Sequence, residues 1–301
     1  MVLQTMRRPK ITLAELGGMV TGMVSDSAAH RLMAAAGVRI DHAAAQRIGV
    51  ATLRVRGART QLETYNVIGE LPGRGALARE RVVLGAHYDH LGIGPAVRGD
   101  SIYNGARDNA SGTATMLATA EAFATSGVRT RRRLTFVAFG AEEAGMLGSR
   151  AFVSRAGAPT LAMLNFDGAN LFGATRDATS LGGERSTLGA AFSRAVRAEG
   201  MVSVAPQYDE GDDLLQRSDQ LSFLMAGTPA LFLRYGHDLV AHGAAYADSA
   251  MKEYESSRYH QPSDELLPTY VFDGAAQQAR IAARILVEVG DASERPRWIA
   301  R

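Results

Sequence analysis

Cysteine is absent from the chain. That excludes disulfides and thiolate ligands, so any metal must rest on histidine and carboxylate side chains. It also removes any redox clue to a compartment. An excess of charge is lacking too. Thirty-three basic residues face 31 acidic ones, a formal charge of +2, too balanced to argue for a nucleic-acid partner. No run reaches the apolar length of a membrane span, and residues 1–10 lack the apolar centre of a signal peptide. As written, the sequence predicts a cytoplasmic or already trimmed chain with neither nucleic acid nor membrane as partner. Internal repeats and low-complexity tracts are missing. At 301 residues, the chain can bury one large α/β core, or one core with a small appendage.

What is present centres on residues 81–112. The apolar run 82–86 reads as a buried strand and leads into His87-Tyr88-Asp89-His90. A glycine-rich loop is expected over 91–105, then Asp108-Asn109-Ala110-Ser111-Gly112, then a helix over 110–124 carrying Met116, Leu117, Ala120 and Phe123 at helical spacing. His87 would thus stand at the carboxyl end of a strand, with Asp108 just before a helix, the edge where open α/β sheets hold ligands. An imidazole and a carboxylate brought together there suit a divalent metal such as zinc. Taken singly, each has a plainer reading, a histidine held by core contacts and an aspartate capping a helix.

Further strands are expected over 64–69, pairing with 82–87, and over 134–139, 161–166, 179–183 and 229–233. Helices are expected over 146–155, 186–200, 218–226 and 274–289, and residues 236–257 read as a long polar connection. The strand 134–139 runs straight into Glu142-Glu143. Consecutive side chains diverge, so one glutamate can hold a metal while its neighbour faces substrate. The four arginines within 129–133 read as a solvated turn, and 208–213 as a surface loop. Alternating strands and helices argue for an α/β fold, a three-layer α/β/α sandwich around a mostly parallel mixed sheet.

The motifs His87-x-Asp89, the loop 99–106, Asp108 to Gly112, Glu142-Glu143, Asn165-Phe166-Asp167 and 259–264 together resemble, in order, the M28 family of zinc peptidases. The likeness runs from about residue 63 to the C-terminus. It implies a catalytic domain over 61–301, preceded over 1–60 by a segment similar to the tail of a protease-associated domain; residue spacing within that segment predicts a helix over 25–36 and a strand over 49–56. It also leaves a secreted or periplasmic location open.

By the same resemblance, His87 and Asp167 bind one zinc ion, Glu143 and His260 another, and Asp108 bridges both. Two zinc ions per chain follow, with cobalt or manganese as possible substitutes. The implied reaction is hydrolysis of peptide substrates by a metal-bound hydroxide, with Glu142 as general base and Asp89 accepting the second N–H of His87 to fix the ring. His90 competes for a role in that motif and is read as packing or loop bonding. Departures from the family pattern fall at Gln220, where relatives often carry histidine, and at Gly168-Ala169-Asn170. Some relatives place an oxyanion-stabilising tyrosine before the Ser-Asp pair. Leu215 and Gln216 occupy that region here, and Tyr235 is the candidate to supply the hydroxyl, an aromatic edge residue being the alternative. An aminopeptidase is the implied activity. A mononuclear glutaminyl cyclase-like enzyme, a carboxypeptidase or dipeptidase of the same family, and a non-catalytic receptor-like module are its rivals.

Overall fold

The computed structural model of the protein describes residues 31, 63–155, 157–206 and 214–299. The chain divides into two compact units, Met1–Glu63 and Thr64–Arg301. Apart from Arg31, the helix expected over 25–36 lies outside the described residues, as do the strand expected over 49–56 and the loop expected over 208–213.

Three long apolar runs form the centre of the second unit: β2 (Arg81–His87), β5 (Arg133–Phe139) and β6 (Thr160–Phe166). Each is buried along nearly its whole length, as parallel strands covered on both faces must be. β2 lies parallel between β5 and β6. β9 (Ala230–Tyr235) extends the parallel array beyond β6, and β7 (Asp177–Leu181) pairs antiparallel with β9. The short β8 (Val202–Ser203) closes that edge, parallel to β7. Among the described residues, with β1 over Val67–Leu71, the order is β1-β5-β2-β6-β9-β7-β8, a mixed and mostly parallel sheet.

Side chains alternate between two cores because successive strand residues point to opposite faces. On one face Val82, Leu84, Ala86, Leu134, Phe136, Leu164 and Phe166 pack against α1 (Gly112–Ser126), α3 (Leu188–Ala198) and α6 (Asp273–Asp291). On the other, Val83, Val137, Phe139 and Met163 meet Phe152 of α2 (Leu147–Ser154) and Phe223 of α4 (Gln220–Met225). Phe139, Phe152 and Phe223 form a three-ring cluster with centroids 5.8–6.0 Å apart. Truncating the fully buried Phe139 would cost about 3–5 kcal/mol. Helices therefore cover both sides of the sheet, the three-layer arrangement that the alternation of elements predicts.

Four expectations need correction. The first strand, β1 (Val67–Leu71), pairs antiparallel with β5 and not with β2; both edges of β2 are already taken by parallel neighbours. The stretch 91–105 is not a plain loop. β3 (Gly92–Val97) and β4 (Asp100–Tyr103) form an antiparallel hairpin, with Ile93 and Ile102 exposed. The polar connection over 236–257 contains a fifteen-residue helix, α5 (Gly243–Ser257), which buries only Ala247 and Tyr254 and so carries little apolar periodicity. Finally, Arg132 is not solvated. It is fully buried, its Nε bonds Glu80 at 2.8 Å, and its Nη1 donates to the carbonyls of Val289 and Ala292 at the end of α6.

Candidate metal centre

The sheet register delivers the candidate ligands to one edge. His87, the last residue of β2, stands opposite Phe139, the last residue of β5, while Ala86 stands opposite Phe166, which ends β6. The residues that follow those strand ends, Glu142 and Glu143 after β5 and Asp167 after β6, therefore emerge beside His87. Asp108 comes from non-helical backbone within the turn Ala106–Ser111 that precedes α1, and His260 from the loop after α5. The helix begins at Gly112, so Asp108 is not its cap.

Asp108 lies between two imidazoles. Its Oδ1 is 3.4 Å from His87 Nε2 and its Oδ2 is 3.1 Å from His260 Nε2. His87 Nε2 is also 3.3 Å from Asp167 Oδ1, and His260 Nε2 is 3.2 Å from Glu143 Oε1. All five predicted ligands thus join one contact network. Donors about 2.1 Å from a common zinc ion stand about 3.0–3.4 Å apart for bond angles between square and tetrahedral, and these separations fall in that range. Two carboxylate-and-histidine groups converge closely enough to hold an ion: His87, Asp108 and Asp167 in one, and His90, Asp108 and Glu143 in the other. Among the described residues, Glu143 Oε1 is buried with no hydrogen-bond partner, an orphaned acceptor aimed into the cluster. The donor set, three carboxylates with imidazoles and no sulfur, fits zinc.

Electrostatics within the cluster run the same way. Burial alone would lower the His87 pKa, but Asp167, Asp108 and Glu142 outweigh it and hold the ring well above the ordinary histidine value. Burial opposes the charge on His260 as well, yet Asp108 and Glu143 raise it to about 9. Burial would raise Asp108, and the two imidazoles at its oxygens instead hold it far below the usual carboxylate range. Protons on the imidazoles balance the carboxylates here, a role cations would take over.

Glu142 differs from its neighbour. Burial pushes its carboxyl well above the usual value, with Asp167, Asp219 and Glu143 adding to the rise and His87 opposing it. A group that gains a proton this readily suits proton transfer. Glu143 is held low despite burial, by His260 and His90, which suits a ligand.

Asp89 sits elsewhere than expected. His87 Nδ1 bonds the main-chain carbonyl of Asp89 at 3.1 Å, while the Asp89 carboxylate stands 3.8 Å from that nitrogen. The carboxylate instead accepts the amide hydrogens of Glu142 at 2.9 Å and Glu143 at 3.2 Å. It clamps the glutamate turn to the end of β2, and the His87 ring is fixed by backbone.

Tyr235 also needs correction. Its hydroxyl accepts from Arg107 Nη2 and donates to Met251 Sδ at 2.8 Å, and the residue is buried. A hydroxyl so engaged has no hydrogen left for an oxyanion. A better-placed phenol is Tyr259, which sequence reasoning passed over although it belongs to the His260 motif. Its ring stacks on that of His260 at 3.9 Å. The residue is 43% exposed, yet burial around the phenol raises its pKa, and Asp108, Asp167, Glu143 and Glu142 act in the same direction. The hydroxyl therefore stays protonated, and a donor.

Two further residues hold the frame. Asn109 donates to the carbonyls of His87 and Phe166 and accepts the amides of Gly112 and Gly168, joining the ends of β2 and β6 to the start of α1. Asp264 accepts the amides of Arg107 and Asp108 and the Tyr254 hydroxyl. Both lie within motifs recognised in the sequence, but a bond to a distant main-chain amide has no sequence spacing to betray it. Gln220, at the position of a departure from the family pattern, accepts from Asn165 and donates to the carbonyl of Leu215.

Comparison with known proteins gives this arrangement a context. The model of a family described as Peptidase family M28 matches residues 66–278. Aminopeptidase YwaD of Bacillus subtilis is 36% identical over 103 residues, covering 34% of this chain and 20% of that protein. Among solved structures, the LapA aminopeptidase of Legionella pneumophila superposes with a TM-score of 0.57 at 18% identity, over 76% of this chain and 56% of the other. BSAP, a zinc aminopeptidase from Bacillus subtilis, gives 0.55 at 23% identity, over 75% of this chain and 50% of the other. At such identities the structural likeness speaks for the fold. The chain spans a fifth of YwaD's length and about half that of the two structural neighbours.

Proposed function

The chain belongs to peptidase family M28, and from that premise we propose that it is a zinc-dependent peptidase removing N-terminal residues from peptides. The observation that carries this reading is Asp108 with an imidazole at each carboxylate oxygen, a placement suited to bridging two ions. His87 and Asp167 would hold one zinc, Glu143 and His260 the other. The similarity to proteins named aminopeptidases and to a zinc aminopeptidase supports the same reading. Zinc in such a site supplies Lewis acidity and lowers the pKa of a bound water toward about 7.

The chain's own residues supply the rest. Glu142, buried and drawn toward its protonated form, takes the proton of the attacking water and delivers it to the leaving amine. Tyr259, held protonated and stacked against His260, donates to the carbonyl oxygen as negative charge develops there. Asp89 holds the amides of Glu142 and Glu143, so base and ligand keep a fixed spacing from His87.

A panel of aminoacyl-anilides beside N-blocked peptides, run on zinc-loaded protein, tests the reading. Turnover of free-amine substrates alone supports it. Cleavage of N-blocked peptides from the carboxyl end would replace it with a carboxypeptidase. Full activity at one zinc per chain would favour a mononuclear enzyme.

A further inference from the structure

We propose that His90 is a third imidazole ligand of the metal pair, on the Glu143 side, an inference that rests on the zinc reading above. His90 Nδ1 lies 2.9 Å from Glu143 Oε1, and its side chain is only 7% exposed. Yet among the described residues neither ring nitrogen of His90 nor Glu143 Oε1 has a hydrogen-bond partner. The contact is short, but its geometry is not that of an N–H···O bond. Two buried ligand atoms 2.9 Å apart, off the line of an N–H···O bond, are stabilised by a cation that both can reach.

The surrounding geometry points the ring the same way. Donor atoms of His90, Asp108 and Glu143 lie within 4.8 Å of one another, and His260 Nε2 is 3.1 Å from Asp108 and 3.2 Å from Glu143. The His90 and His260 rings meet edge to face, with centroids 5.6 Å apart. Gly105 backs the His90 ring from behind. Its φ is +66°, and a Cβ there would stand 2.5 Å from His90 Cγ and 2.6 Å from the Asp108 carbonyl oxygen. The loop that carries Asp108 therefore needs glycine at this point and leaves His90 little room to turn away.

With His90 included, the Glu143 side offers four protein donors, His90, Asp108, Glu143 and His260. The His87 side offers three, His87, Asp108 and Asp167. Four protein donors close a zinc shell, whereas three leave a position open for water. The two ions then differ in kind. The ion at Glu143 is held tightly and exchanges slowly, and the ion at His87 is the exchangeable one that faces substrate.

Zinc X-ray absorption on the unmodified, zinc-loaded protein counts imidazoles without any substitution, and a chelator titration of wild type and His90→Ala gives the affinities. The expected result is three imidazoles shared between two ions, with one ion lost readily and one retained. In His90→Ala the retained ion should weaken by more than about 100-fold, beyond the 10–100-fold typical of losing an outer-shell partner. Two imidazoles with both zinc ions bound, or wild-type retention in His90→Ala, would overturn this assignment and leave the proposed function standing. Failure of the wild-type chain to bind zinc would overturn both.

Discussion

The two halves of the candidate site are built by different means. His87 and Asp167 stand at or just beyond the ends of adjacent parallel strands, and Asn109 bonds the carbonyls of both strand ends. His87 has no exposed surface. His260 comes from a loop, its side chain is 31% exposed, and its backbone sits in the left-handed region at φ 57°, a conformation that costs a non-glycine residue about 1–3 kcal/mol. On the strand side, position follows from sheet register and needs little support. On the loop side it depends on tethers: Asp264 to the amide of Asp108, the Ala106 amide to the Asp264 carbonyl, and Tyr259 stacked on His260.

The strongest way to break this contrast is to remove what the halves share. Asp108→Ala should strip both ions and abolish activity, and elemental analysis of the purified variant checks it. Retention of both metals at wild-type affinity would refute the bridging role.

Next in size is the glutamate pair. Glu142→Gln should lower kcat by about 10²–10⁴, or roughly 2.7–5.4 kcal/mol of barrier, with KM and metal content little changed. Glu143→Gln should instead lose metal from one site, with activity partly recovered at high zinc. Metal loss in the first variant and a metal-replete, inactive second would show the roles to be reversed.

Asp264→Ala sharpens the comparison, because it touches the loop side without removing a ligand. Metal affinity should fall about 10–100-fold, and the loss should be greater for the ion at Glu143 and His260 than for the other. Equal weakening of both ions, read by chelator titration, would show that the halves are not independently supported.

A separate effect, on stability and not on metal affinity or turnover, lies beneath the strand side. Asp219 is fully buried, and among the described residues neither of its oxygens has a hydrogen-bond partner. Burial pushes its carboxyl up to about 7 from 3.8, with His87 opposing. The folded state therefore binds this proton more tightly than the unfolded one. Its contribution is fully present below about pH 4 and is lost as pH rises toward 7, at about 1.4 kcal/mol per pH unit. Asp219→Asn should flatten that slope in urea denaturation of the metal-free protein. An unchanged slope would show that Asp219 does not carry it.

Legibility in the sequence follows the same division. The apolar runs that become β2, β5 and β6 announce themselves and deliver His87, Glu142, Glu143 and Asp167 to one edge, because a strand buried on both faces has few other readings. Asp108 and His260 sit in turns without periodicity, and only their motif context singles them out. The helix α5 escaped the sequence reading because only two of its residues, Ala247 and Tyr254, are buried. The hairpin β3–β4 did so because glycine and proline interrupt it. The clamp from Asp89 to two amides, the engagement of Tyr235 by Arg107 and the burial of Arg132 against Glu80 all depend on partners distant in sequence. Composition and spacing carry no trace of such pairings.

The bond from Asp264 to the amide of Asp108 has a consequence for how the protein comes to exist. The Asp108 carboxylate is synthesised first, while the residue that anchors its backbone, and the imidazole at its second oxygen, arrive 156 and 152 positions later. A growing chain on the ribosome can lay down β2, β5 and β6 and bring His87 toward Asp167, yet it cannot close the site around Asp108 until the region 260–264 has emerged. A product ending before His260 would carry the sheet's central strands without the imidazole and the backbone anchor that stand on the far side of Asp108.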